Sequence, residues 1–265
     1  AGFVERDNGP LRLWFDPRGN AIPESEKGYA SGCDLSWGQG ATPSCCAIAD
    51  AQTGEKVLEY VTALDDGKPD IFAERVMALC RVFKSKAGNP TLLAWETLGP
   101  GNVFGKTVLE LAYPNVYYHG TEADKDSMNR RKPGWNPTKQ NRTDALGDYQ
   151  AALRTRRYIN RSTLALKEAE TFVETDRGIQ SSRGSSTSRS RLKVGIGDEQ
   201  SGSRESHGDR VIMDALTFLA LKDLGGGQMP VTHVEEKPPE EMVGTLAWRR
   251  KLHQLRDRDR IEAWG

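Results

Sequence analysis

Between Tyr29 and Leu64 three short apolar runs, separated by polar turns that carry glycine, restrict the fold more tightly than any other part of the chain. The first, "YASGCDLSWG" (29–38), reads as a short buried strand that ends in a polar turn. "PSCCAIADAQTGEKVLEYVTAL" (43–64) then reads as two strands joined at Gln52-Thr53-Gly54. Strands this close in sequence pair with their neighbours, so the three form an antiparallel meander.

Further along, helices and strands alternate. Ile71, Phe72, Val76, Leu79, Cys80 and Phe83 share one face of a helix expected over about 69–86. "TLLAWE" (91–96) is a compact apolar strand after the Asn89-Pro90 break. "NVFGKTVLELA" (102–112) is a helix and "NVYY" (115–118) a short strand. A helix over about 138–157 ends in arginines, and another over about 162–175 has Ser162 as its N-cap. "SSRGSSTSRSR" (181–191) is low-complexity and expected to be mobile. "SHGDRVIMDALTFLALKDLGGG" (206–227) is an apolar-faced helix with a glycine stop. A meander followed by alternating helices and strands specifies an α/β fold, a mixed sheet flanked by helices. Residues 1–27 form a lead-in with one strand at "LRLWF", 28–223 the main domain with an insertion at about 181–204, and 224–265 a charged tail that holds an amphipathic stretch near 240–262.

Composition narrows the function. No run of about 18 apolar residues exists to span a membrane, and "AGFVERDNGP" lacks the basic start and apolar core of a secretory signal. Ala1 at the first position suggests a processed chain or a piece of a longer one. Cys33, Cys45, Cys46 and Cys80 form no C-x-x-C pair, so they read as buried thiols in a reducing compartment rather than a zinc site. The 37 basic residues balance the 37 acidic ones, but unevenly along the chain: residues 1–123 carry 11 basic against 16 acidic, and 124–161 carry 10 against 4. A basic block beside a domain with spare acids suits metal in one place and polyanion in another, or else a solvated loop.

Gly105-Lys106-Thr107 has the ending of a phosphate-binding loop. Such a loop needs a glycine five positions before Gly105, to wrap a phosphate in successive backbone N–H groups. Pro100 stands there and has no N–H, so a nucleotide site is not expected. Glu96, which ends an apolar strand just before Gly99-Pro100-Gly101, reads either as a metal ligand or as an ordinary strand end. Asp34 ends its own strand and reads as a ligand or as a side chain capping the turn. Asp209 opens the late helix, where Ser206-x-x-Asp209 also fits a capping box.

Taken together these segments resemble a known family. "GCDLSWGQGATPSCCAIADAQTGE" is similar to the first hairpin of the C-terminal nuclease domain of the tailed-phage terminase large subunit, a ribonuclease H-like fold. "WETLGPG" is similar to its acid-bearing turn, "HGDRVIMDALTFLA" to its closing helix, and "GPLRLWFDP" to the link from its ATPase motor. The likeness covers about residues 10–223, without 181–204 or the tail. It implies a metal-dependent endonuclease cutting double-stranded phage DNA during packaging, in the cytoplasm of the host cell. It also implies two Mg²⁺ or Mn²⁺, with Asp34 bridging both and Glu96 and Asp209 each holding one. Three acids and few histidines suit hard cations better than zinc. His207 would orient Asp209 or a phosphate oxygen, or simply face solvent; Asp214 would support the site or the helix. Phosphates would be gripped by Arg130, Arg131, Lys132, Lys139 and Arg142, with Arg154, Arg156 and Arg157 further on. Arg183, Arg189 and Arg191 would reach DNA or merely space the chain. The implied partners are the portal, the small terminase subunit and other large-subunit copies, with no membrane. No motor motif is present in this stretch, so the ATPase is expected elsewhere. Two rivals stay open: another ribonuclease H-like nuclease such as a Holliday-junction resolvase, and a non-catalytic module that docks DNA or portal.

Overall fold

The computed structural model describes residues 9–15, 22, 25–38, 42–120, 132–175, 178–181 and 208–225, all within one compact unit (Ala1–Val231). Arg130, Arg131, His207, the arginines of the 181–191 stretch and the tail beyond 225 lie outside the described residues. No helix among the described residues is long and apolar enough to cross a membrane.

The expected meander forms. Strands β2 (Tyr29–Asp34), β3 (Ser44–Asp50) and β4 (Lys56–Thr62) pair antiparallel in sequence order. β1 (Leu11–Leu13), from the lead-in, pairs antiparallel with β4 and closes one edge. β5 (Leu92–Trp95) lies parallel to β2, so the sheet order is β1-β4-β3-β2-β5. This is the mixed sheet that the alternation of elements specified.

Side chains alternate across the sheet, which sorts its residues between two cores. Tyr29, Cys33, Leu93 and Trp95 face α1 (Pro69–Val82) and α2 (Pro100–Glu110), where Phe72, Phe104 and Phe83 fill the space. Ala30, Ala49, Leu92 and Ala94 face α3 (Lys139–Arg154) and α5 (Asp209–Gly225), and Cys45, Ala47 and Met213 extend that side. All four cysteines are buried and free, as their spacing led us to expect.

Small residues on the second face let α5 lie directly on the strands. A Cβ at Gly32 would stand 2.3 Å from the backbone nitrogen of Thr217 and 2.4 Å from the carbonyl oxygen of Met213. The glycines of the phosphate-loop look-alike have a similar duty. A Cβ at Gly105 would meet the Trp95 indole at 2.7 Å, and one at Gly101 would overlap the Glu96 carbonyl oxygen at 1.7 Å. They seat α2 against the end of β5, while Lys106 sits in solvent 3.6 Å from Glu110.

Several elements differ from expectation. The helix expected to run to 86 stops at Val82, and residues after it turn toward a bridge between Lys84 and Pro90. The "NVYY" strand is reduced to bridges beside β5 and the two-residue β6 (Tyr118–His119), paired with β7 (Lys132–Pro133). The helix expected over 162–175 ends early: α4 is Thr163–Ala169, with Ser162 Oγ accepting from Ala165 N at 3.2 Å as the N-cap. A hairpin follows, β8 (Phe172–Thr175) with β9 (Gly178–Ser181). Phe172 and Ile179 from that hairpin pack against the α3–α5 core, so tertiary burial overrides the helical pattern there.

Because the atoms facing Gly32 are helix backbone, they cannot yield as a flexible side chain would. Gly32→Ala should lower unfolding free energy by about 3 kcal/mol, the upper end of overpacking costs. Chemical denaturation of parent and variant in chelator measures it.

Candidate active site

Each of the three sequence-selected acids sits at the end of an element. The register pairs Cys33 with Trp95 across the parallel strands, so Asp34 and Glu96 leave β2 and β5 at the same level. Glu96 N donates to the Cys33 carbonyl at 3.4 Å, which ties the two ends together. Asp34 falls in the same alternation as Gly32, and Glu96 in the same alternation as Ala94. Both carboxylates therefore belong to the face that α5 covers. Asp209 is the first residue of α5.

The start of α5 is fixed from two sides. Gly208 has φ +93°, a left-handed conformation that suits glycine, and a Cβ there would lie 2.5 Å from the Phe172 ring. Arg210 N donates to Glu168 Oε2 at 3.1 Å, and its guanidinium pairs with Glu168 and reaches Glu59 Oε1 at 3.4 Å. The capping-box partner expected for Asp209, Ser206, lies outside the described residues.

Asp34 feels both other acids. Burial pushes the Asp34 carboxyl well above the usual carboxylate range. The negative charges of Asp209 and Glu96 push it the same way, while Arg142 and the Leu35 backbone N–H oppose them. Burial also raises Glu96, against the pull of Arg142. Arg142 reaches them because α3 begins beside β5: Trp135 N donates to the Trp95 carbonyl at 2.7 Å and Thr97 N to the Trp135 carbonyl at 2.9 Å. Thr138 and Asn141 then close a reciprocal capping box at the first turn. Of the basic block, Lys132, Lys139 and Arg142 thus stand at the acid end.

The remaining candidates are elsewhere. Arg154 ends α3, about 22 Å from its start at 1.5 Å per residue, and Arg156 and Arg157 follow it. Arg157 lies 5.7 Å over the Phe218 ring and donates to Thr155 Oγ1 at 3.2 Å, so it serves packing. Asp214 is fully buried on α5 and accepts from Lys56 Nζ at 3.1 Å, Tyr158 Oη at 2.9 Å and Asn160 Nδ2 at 2.7 Å. Lys56, also fully buried, donates to Glu59 Oε2 at 2.6 Å as well. Of its two roles, Asp214 has the structural one. The sequence reading missed this network, although Lys56 and Glu59 inside an apolar strand were its visible trace. Removing one member of such a pair costs about 3–5 kcal/mol, because the other charge is left buried alone.

The donor set suits hard divalent cations. All three acids offer carboxylate oxygens, and the nearby thiol of Cys45 is pushed up by burial and by Asp209, away from the thiolate that soft metals need. Among the described residues no group of three acids, histidines or cysteines is gathered to cage a single ion. Mg²⁺ asks for no such cage. It typically takes one or two carboxylates and completes its shell with water and substrate phosphate.

A carboxyl whose folded-state pKa is raised stabilises the fold while protonated and loses that contribution on ionising. Metal-free stability should therefore fall as pH rises from about 4 through the raised values of Asp34 and Glu96. Asp34→Asn removes one charge at nearly constant shape. In chelator at neutral pH it should melt no lower than the parent, and it should lose most of the melting-temperature rise that Mn²⁺ gives the parent. Thermal melts of both proteins, with chelator and with Mn²⁺, measure this; a full metal shift in the variant would count against the three-acid site.

No protein-family model matches the chain, and no curated protein matches it. Solved structures do. The large terminase nuclease of thermophilic phage G20c with bound magnesium superposes with a TM-score of 0.50 at 14% identity, over 82% of this chain and 90% of that one. The same nuclease with bound cobalt gives 0.51 at 13% identity over 82% and 90%. The nuclease domain of the Thermus phage P74-26 large terminase gives 0.48 at 13% identity over 82% and 88%. The chain thus shares its fold with phage large-terminase nuclease domains: a five-stranded mixed sheet with helices on both faces.

Proposed function

We propose that this chain is a divalent-metal-dependent endonuclease that cuts double-stranded phage DNA during genome packaging, with residues 28–223 as its nuclease domain. The observation that carries the reading is that Asp34 and Glu96 leave paired strands at the same level, with the charges of Glu96 and of Asp209, the first residue of α5, both raising Asp34. Support comes from the neighbouring fold, whose G20c representative was solved with magnesium and with cobalt.

In this reading Asp34, at the end of the interior strand β2, would hold two Mg²⁺ or Mn²⁺ ions together with Glu96 and Asp209. Such a pair of ions supplies an activated water and neutralises the leaving oxygen of a phosphodiester. The protein's own groups do the positioning. The start of α5, held by Arg210 on Glu168, aims Asp209, and its partial positive charge favours a carboxylate there. Arg142 offsets the acids when no cation is bound and has the charge to take a phosphate oxygen. Lys132 and Lys139 are exposed at the same end to hold the backbone of the duplex; Arg130 and Arg131, which precede Lys132 in the sequence, are assigned the same task. The packaging partners are the portal, the small terminase subunit and other large-subunit copies, and the site of action is the host cytoplasm.

Plasmid incubated with the pure protein should be cut in Mn²⁺ or Mg²⁺ and spared in chelator. Asp34→Asn, Glu96→Gln and Asp209→Asn should each lower the rate by at least about 100-fold, beyond what losing an outer partner of a metal ligand causes. Intact plasmid under every metal condition would favour a docking module. A strong preference for four-way junctions over linear duplex would favour a resolvase.

Duplex binding should also weaken steeply as salt rises. Replacing Arg130, Arg131 and Lys132 together by Ala should shrink the slope of log affinity against log salt by about 0.9 for each phosphate that is no longer neutralised. Affinity should fall equally for unrelated sequences, and anisotropy titrations across a salt series measure it.

A further inference from the structure

Two large apolar side chains stand in water beside the acids. Trp37 is 54% exposed and Leu98 is 53% exposed, the highest values for large apolar side chains among the described residues. Trp37 follows Asp34 by three residues and Leu98 follows Glu96 by two, so both emerge from the ends of the acid-bearing strands.

Neither sits on a loosely built turn. On the Trp37 side, Ser36 N donates to Ser44 Oγ at 3.0 Å, Gly38 N donates to Ser36 Oγ at 3.2 Å, and Ser44 Oγ donates to the Gly67 carbonyl at 2.8 Å. Ser36 and Gly38 are buried on either side of the exposed indole. On the Leu98 side, Gly101 N donates to the Leu98 carbonyl at 3.0 Å, and Gly101 itself abuts the Glu96 carbonyl. With backbone order already in place, these side chains give up little entropy when they bind.

Chain geometry sets what must cover them. At about 3.6 Å per residue at most, the Trp37 Cα lies within about 11 Å of that of Asp34, and the Leu98 Cα within about 7 Å of that of Glu96. A B-form major groove alone is about 12 Å wide. A duplex with a phosphate at the acids therefore has both turns within its reach. An indole and an isobutyl group cannot neutralise phosphate; what they can meet is sugar and base edge.

Resting on the nuclease reading above, we propose that Trp37 and Leu98 form an apolar wedge that presses into the duplex next to the phosphate to be cut and loosens the adjoining base step. Side chains of this kind, inserted between base steps, unstack them and bend the helix. The wedge supplies a part of DNA affinity that does not depend on counterion release. It also makes steps that unstack easily the preferred places to cut, with no hydrogen-bonded reading of sequence.

The test uses a short duplex carrying 2-aminopurine, whose fluorescence rises on unstacking, bound in Ca²⁺ to the full chain. The parent should brighten the probe. Trp37→Ala should not, and its affinity should fall about tenfold, the scale of a single base–aromatic stack. Its salt slope should match the parent's, and Trp37→Phe should restore both affinity and signal. Leu98→Ala should show a smaller effect of the same kind, and because both side chains lie in solvent, melting temperatures should match the parent's. If Trp37→Ala and Leu98→Ala both bind and brighten the duplex as the parent does, the wedge is wrong, whatever happens to plasmid. An absence of cutting in every metal, with the Trp37-dependent signal intact, would instead remove the nuclease reading and leave the wedge standing.

Discussion

The close approach of α5 to β2 at Gly32 is the constraint on which the rest of the site depends. Helix backbone lies where a Cβ would be, so no other residue permits this separation without displacement. Ala30, Ala47, Ala49 and Ala94 keep the surrounding surface low, and the helix settles onto the sheet over its central strands. That depth lets the charge of Asp209, the first residue of α5, act on Asp34. A larger residue on the strand would lift the helix and separate Asp209 from its partners while every secondary element survived.

Depth alone leaves the helix free to slide or rotate along its axis, and buried charge removes that freedom. Lys56 on β4 holds Glu59 and Asp214, a tyrosine and an asparagine donor complete Asp214, and Arg210 ties the first turn to Glu168 and Glu59. Burial raises Asp214 against the pull of Lys56, whereas Glu59 stays below its usual range because Lys56 and Arg210 outweigh the effect of burial. Such groups are costly to bury and are tolerated when fully paired, so a shift of α5 by one residue would strand several of them at once. The same helix thus carries a paired charge in the core and, at its tip, a carboxylate that acts on Asp34.

The two ends of the basic helix show how one charge pattern divides into different tasks. Arg142 lies in the field of Asp34 and Glu96 because Trp135 and Thr97 extend the hydrogen bonding beside β5 and start α3 there. Arg157, at the other end, stacks over Phe218. A count of basic residues along the sequence places both in one block. Distance along a helix separates them, and only the first belongs with the acids.

Much of this was legible in the chain itself. The alternation and turn residues of 29–64 determined the meander, the spacing of Ile71, Phe72, Val76 and Cys80 determined α1, and Pro100 ruled against a phosphate loop. Asp34, Glu96 and Asp209 stand out as candidates because each ends or opens an element near glycine, and the family resemblance joins them. What local pattern could not supply was anything arising between distant segments. The helical pattern after Ser162 gave way to a hairpin because Phe172 and Ile179 gain more by packing on α3 and α5 than a helix would bury. Asp214 looked like a neighbour of Asp209 because helical spacing reports which face a residue occupies and not what lies opposite. Lys56, 158 residues away, decided that. The sequence by itself determined which residues end strands and helices, since that depends on neighbours in the chain. Only the tertiary structure decided which of those ends meet, because parallel pairing of β2 with β5 and the seating of α5 on Gly32 join segments that carry no mark of each other.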